Sequence, residues 1–161
     1  MIDRIQKRLL RRVGMTTTEA LLICNLAPLH TRRDIAMLGV IHRAMIGEGP
    51  DQFRDIFTLT PGSVQGRTTR VTARTNRIRV VTEVSHMAQD YILHSALGLT
   101  RIYNRLPDAI VGANSVAHFQ TMLQHMLKEA AQQDFPCWEF LLSPRVKMSL
   151  HPLTKWTRLN C

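Results

Sequence analysis

Ten basic side chains in two clusters carry the most evident chemistry in this sequence. Arg4, Lys7, Arg8, Arg11 and Arg12 crowd the first thirteen residues, and Arg67, Arg70, Arg74, Arg77 and Arg79 form a second run with no acid among them. Phosphates suit such groups: Arg offers a planar fork of donors that grips two oxygens at once, and Lys a point charge. Contacts of this kind give salt-sensitive binding that is largely independent of base sequence. The whole chain follows the same bias, with 21 Lys and Arg against 12 Asp and Glu for a formal charge of +9, a field that favours polyanions. Aromatic residues are only 6% of the chain, too few for a platform of stacked bases. Tracking of a duplex or hybrid backbone is therefore favoured over base readout. The bland alternative is a solvated basic face without a partner.

Other chemistries find less support. Metal-assisted phosphoryl transfer needs carboxylates that hold two ions a few ångströms apart, and the chain has no adjacent Asp pair. Asp51 and Asp55 share a helical spacing, but such pairs on a surface helix are usually solvated. His118 and His125 are seven apart, with Met122 between them and Glu129 a turn beyond, whereas helical metal sites favour a spacing of four. Both read as boundary or surface histidines. Cys24, Cys137 and Cys161 are odd in number and far apart, which indicates neither a zinc knuckle nor a disulfide framework. Cys24 sits in an apolar context that predicts a buried thiol. No phosphate-binding glycine loop, dinucleotide fingerprint or nucleophile elbow occurs. No enzyme, metal or cofactor is expected.

These side chains need a scaffold, and the periodicity supplies a mainly α fold. A single irregular helical domain of about six helices is expected over 1–142, with residues 58–80 as a basic, Arg/Thr-rich loop or short hairpin insertion and 143–161 as an irregular tail. Ile2, Ile5, Leu9, Leu10 and Val13 mark an apolar helical stripe among the first arginines, and Gly14 stops it. Thr16 to Glu19 reads as a capping box for a short helix. Pro28 breaks the chain, and Thr31 to Asp34 repeats the start signal ahead of a strongly apolar run, Ile35 to Ile46. Nearly everything there is apolar, apart from a narrow stripe of Arg32, Gly39 and Arg43 along the helix, so it is the expected core helix. A helical turn is expected over 51–57, a strand over 78–84 and helices over 86–93 and 97–104. Pro107 should open a short helix through Val111. Asn114 or Ser115 should cap the longest helix, about 116–133, whose apolar face includes Phe119, Met122, Leu123, Met126 and Leu127. One more turn is expected over 138–142.

No apolar run approaches the roughly 20 residues of a membrane span, so no membrane partner is expected. Residues 1–13 share the Arg-rich, acid-poor character of a mitochondrial presequence. They contain no Ser, however, and run directly into a patterned region.

Two blocks carry a family resemblance. The first is Thr17-Thr18-Glu19-Ala20-Leu21 with Leu26-Ala27-Pro28-Leu29, preceded by Ile5-Gln6-Lys7-Arg8-Leu9-Leu10 and followed by Arg32-Arg33. The second is Tyr103-Asn104-Arg105-Leu106-Pro107, then Asn114-Ser115-Val116 and Phe119. Their order and spacing resemble the segment downstream of the polymerase core in non-LTR (LINE-type) retrotransposon reverse transcriptases. The resemblance implies a thumb-like, non-catalytic segment that handles RNA or DNA backbone during target-primed reverse transcription. It also implies a polymerase core encoded elsewhere and an intracellular, nuclear location. The chain lacks the family's catalytic aspartates and Cys/His knuckle, so no catalytic residue carries over. No small-molecule substrate is expected. A protein–protein scaffold docking through the Met-bearing helix near Leu123, or a degenerate mobile-element reading frame without independent function, are the alternatives.

Overall fold

Hydroxyl side chains begin several of the helices. Thr16 accepts the Glu19 amide at 3.1 Å while Glu19 accepts the Thr16 amide at 2.8 Å, the reciprocal box expected of this sequence. These bonds to Thr16 hold the Glu19 carboxyl below its ordinary value. Ser95 and Ser115 cap two later helices through the amides of Leu97 and His118. The computed structural model describes residues 2–58, 78 and 95–160, and the described chain is mainly helical. In order come α1 (Ile2–Val13), α2 (Thr17–Cys24), α3 (Leu29–Met45), α4 (Gln52–Ile56), α5 (Ala96–Tyr103), α6 (Asp108–Val111), α7 (Val116–Gln132) and α8 (Pro152–Asn160). Short 3-10 turns occupy Trp138–Phe140 and Met148–Leu150.

Helix α3 is the centre, as its apolar run predicts, packed on α7 along one side and α5 along another. Leu38, Ile41, Leu99, Ile102, Phe119, Leu123 and Leu127 meet there, all fully buried. Gly39 does not share the exposure of Arg32 and Arg43. It is buried against α7, where a Cβ would collide with the Gln120 amide and press on Val116. The missing side chain lets the two helices approach closely here.

His42, one position from the expected stripe, is the polar element of this core. Its exposure is 0%, its ring stacks on Phe119 with centroids 4.1 Å apart, and both nitrogens are satisfied. Nε2 donates to the Ala113 carbonyl at 2.9 Å, which leaves Nδ1 to accept the Tyr103 hydroxyl at 3.0 Å. That assignment requires a neutral ring, and burial lowers the His42 pKa accordingly. His151 repeats the arrangement, donating to the Ser143 carbonyl and accepting the Leu153 amide.

The start of α3 departs from expectation. The helix begins at Leu29, two residues before Thr31, and its N-cap Pro28 has no side chain with which to cap. Helix α1 does so instead: Gln6 accepts the Leu29 amide at 2.9 Å and Asp3 accepts the His30 amide at 3.1 Å. Gln6 also donates to the Ala27 carbonyl. Thr31, freed from capping, donates to the Glu139 carbonyl. The face of α1 that docks is therefore Asp3, Gln6 and Leu10, while Ile5, Leu9 and Val13 remain 55–62% exposed. Orphan amides at a helix start need acceptors more than three isolated side chains need burial. Removing either acceptor, by Asp3→Ala or Gln6→Ala, should lower stability by about 1–2 kcal/mol. Urea unfolding midpoints equal to wild type in both variants would show that this borrowed cap contributes nothing.

The C-terminal region is also more ordered than an irregular tail. Trp156 and Leu153 of α8 are buried in the main core, and Trp156 meets Phe135 edge-on. Its four apolar or aromatic positions are too dispersed among polar residues to declare a face without their partners. The strand expected at 78–84 and the helix at 86–93 lie outside the described residues, Ile78 excepted. Ile78 is buried, and Asn104 grips it at both ends: its Oδ1 accepts the Ile78 amide and its Nδ2 donates to the Ile78 carbonyl. Asn104 thus has a structural task within the Tyr103–Pro107 block.

Candidate nucleic-acid interface

With its polar edge turned inward, α1 presents Arg4, Lys7, Arg8, Arg11 and Arg12 to solvent, all exposed. Among the described residues no carboxylate pairs with any of the five. Asp3, the one acid on α1, is engaged by Arg33 at 3.4 Å and by the His30 amide. Arg4, Arg8 and Arg12 follow at intervals of four, a row spanning roughly 12 Å along the helix. Arg32 and Arg33, exposed on the first turn of α3, extend the cationic surface beside the docked α1. Their place in it was not legible from spacing, because it depends on Asp3 and Gln6 holding α1 against that turn. The second cluster, Arg67, Arg70, Arg74, Arg77 and Arg79, lies outside the described residues.

Behind this surface is an acidic counterpoint. Asp34 is 4% exposed, its Oδ2 has no hydrogen-bond partner among the described residues, and burial raises its pKa from 3.8 to about 6 against the opposing pull of Arg145 and Arg33, with Asp3 adding to the rise. Such a group binds more protons folded than unfolded between those two values, so its contribution to stability is complete below pH 3.8 and is lost as pH rises through 6. The full shift corresponds to about 3 kcal/mol, which screening by solvent at this cluster's edge reduces to about 1–2 kcal/mol. Asp34→Asn should therefore melt higher than wild type at pH 7 and equal to it near pH 3.5. Equal melting temperatures at both would remove the burial penalty.

Two concavities lie on the described surface. A pocket of about 210 Å³ lies between α2, α3 and α7, with Leu21 and Leu127 in its floor and Arg32, Asn25, Gln120 and Gln124 around it. A larger groove of about 360 Å³ runs between α6, α7 and α8, lined by Ile110, Met122, Met126 and Trp156 with His125 and Glu129 at one side. His125 lies 3.4 Å from Glu129. Leu123, expected to centre a docking face, belongs to the interior instead.

Cys24 and Cys137 are exposed free thiols; the prediction of a buried Cys24 fails because α2 turns only Ala20 and Leu21 fully inward. Asp51 and Asp55 are exposed, as are His118 and His125. Among the described residues no group of three or more His, Cys, Asp or Glu is placed to hold a metal ion, and no helix is long and apolar enough to cross a membrane. By fold and surface, this is a mainly helical protein with a cationic helix on its exterior whose basic side chains meet no carboxylate among the described residues. Compared with known protein families, curated proteins and solved structures, the chain matches none.

Proposed function

We propose that this protein is a non-catalytic nucleic-acid-associated module that contacts RNA or DNA backbone through Arg4, Lys7, Arg8, Arg11 and Arg12, joined by Arg32 and Arg33. The observation that supports this reading is the orientation of α1. The helix docks through Asp3 and Gln6 and leaves five cations exposed and free of described carboxylate partners. A solvated helix would gain from acids interleaved at i, i+4, and α1 has none beyond Asp3. Backbone phosphates supply the missing charge and release condensed counterions when bound. The resemblance of the two sequence blocks to the post-polymerase segment of LINE-type reverse transcriptases agrees with this role, as a thumb-like companion to a polymerase core encoded elsewhere. Arg67, Arg70, Arg74, Arg77 and Arg79 belong to the same proposal as a second phosphate-contacting run.

The test is fluorescence anisotropy with duplex, RNA–DNA hybrid and single-stranded probes at rising salt. The reading expects affinity that falls steeply and linearly on logarithmic axes. Negligible affinity at low salt, or affinity indifferent to salt, would exclude it. The groove beneath Met122 and Met126 supports a second reading, a scaffold that docks another protein through adaptable thioether side chains. Stable assembly on sizing, without polyanion affinity, would favour that reading.

A further inference from the structure

The pocket between α2, α3 and α7 combines a polar rim with an apolar floor. Its rim carries three carboxamides, Asn25, Gln120 and Gln124, and one guanidinium, Arg32. None of the four makes a hydrogen bond or ion pair among the described residues. Its floor is aliphatic, formed by Leu21 and Leu127, both essentially buried.

A carboxamide presents a donor and an acceptor side by side, the complement of a nucleobase edge, and an arginine fork complements a phosphate. An aliphatic floor accepts the face of a planar ring. At about 210 Å³ the pocket is smaller than the roughly 300–1,000 Å³ clefts that enclose whole cofactors, and its scale suits one heterocycle. A paired base could not enter, because its edge is engaged and its faces are stacked.

Position adds to composition. Ala27 lines the same pocket, and its carbonyl accepts Gln6 of α1 at 3.1 Å. The pocket therefore adjoins the cationic helix directly. Gly39 leaves room for the Gln120 amide in its present place, and a Cβ there would make that flexible side-chain end shift.

We infer that this pocket receives one unpaired nucleotide at the end of a bound duplex, with Gln120 and Gln124 on the base edge and Arg32 on its phosphate. The inference rests on the backbone-binding reading above and adds to it a preference for strand junctions. RNA and DNA share the chemistry used here, and the probes below separate them.

The experiment compares three probes on the intact chain by anisotropy: a blunt duplex, the same duplex with a short single-stranded overhang, and that overhang carrying abasic sites, each made as RNA and as DNA. Wild type should bind the overhang about tenfold more tightly than the blunt duplex, and the abasic overhang no better than blunt. Gln120→Leu with Gln124→Leu should erase the overhang advantage and leave blunt binding and its salt dependence unchanged. Gly39→Ala, which displaces the Gln120 amide without deleting it, should do the same, with circular dichroism melting as the control for folding. An overhang advantage absent in wild type, retained on abasic probes, or intact in folded variants of both kinds overturns the inference while leaving backbone binding in place. Absence of binding to every probe at low salt overturns the backbone reading first, and the pocket assignment with it.

Discussion

Replacing Arg4, Lys7, Arg8, Arg11 and Arg12 together with Gln is expected to weaken duplex binding at 50 mM salt by roughly a hundredfold or more. The reason lies in counterion release. Each phosphate neutralised contributes about 0.9 to the slope of log affinity against log salt, so losing five contacts should flatten that slope by about four to five. A single replacement such as Arg8→Gln should lower it by about one and weaken all sequences alike. Gln has nearly the helix propensity of Arg and Lys, and the five side chains take no part in the bonds that dock α1, which belong to Asp3 and Gln6. Thermal stability should therefore stay within about 0.5 kcal/mol of wild type. A folded five-residue variant with the wild-type slope would place the phosphate contacts elsewhere on the molecule.

The largest effect on stability should come from His42→Ala, at about 4 kcal/mol. Three losses combine. The Ala113 carbonyl loses its buried partner, at about 1–3 kcal/mol for a group left unsatisfied, and the Tyr103 hydroxyl loses its bond to Nδ1. The stacking on Phe119 disappears, and a cavity opens between α3 and α7. Relaxation of the surrounding side chains offsets part of the sum. In a domain with a typical 5–15 kcal/mol of total stability, this is severe. A pH signature accompanies it. The folded His42 pKa lies below the ordinary 6.5, so the unfolded chain binds the extra proton first, and stability is complete above pH 6.5 and lost as pH falls below it. His151, lowered for the same reason of burial, adds a slope of the same sign. Between pH 7.5 and 5.5 the His42→Ala variant should consequently lose less stability than wild type. Urea titrations at the two pH values read this directly, and equal losses in both proteins would mean that His42 does not titrate as a neutral core group.

Local signals in this chain were strong where the physics is local. The box of Thr16 and Glu19, the stop at Gly14, the Ser115 cap and the apolar face of α7 each depend on groups within a few residues, and each could be read from spacing. The same holds for the apolar run of α3, because a helix packed on most sides must be apolar on most sides. The ten cations and the +9 charge are properties of the sequence alone, and the polyanion partner is proposed from them. Tertiary contacts decided the rest. Which face of α1 turned inward depended on Pro28, which left the Leu29 and His30 amides needing acceptors that Gln6 and Asp3, more than twenty residues away, could provide. The burial of His42 depended on the Tyr103 hydroxyl and the Ala113 carbonyl arriving from other elements. Gly39 gained its meaning from Gln120, and the carboxamide pocket exists only where α2, α3 and α7 meet. Hydrogen bonds and close contacts between distant segments leave no period in a sequence, so only the folded chain could reveal them.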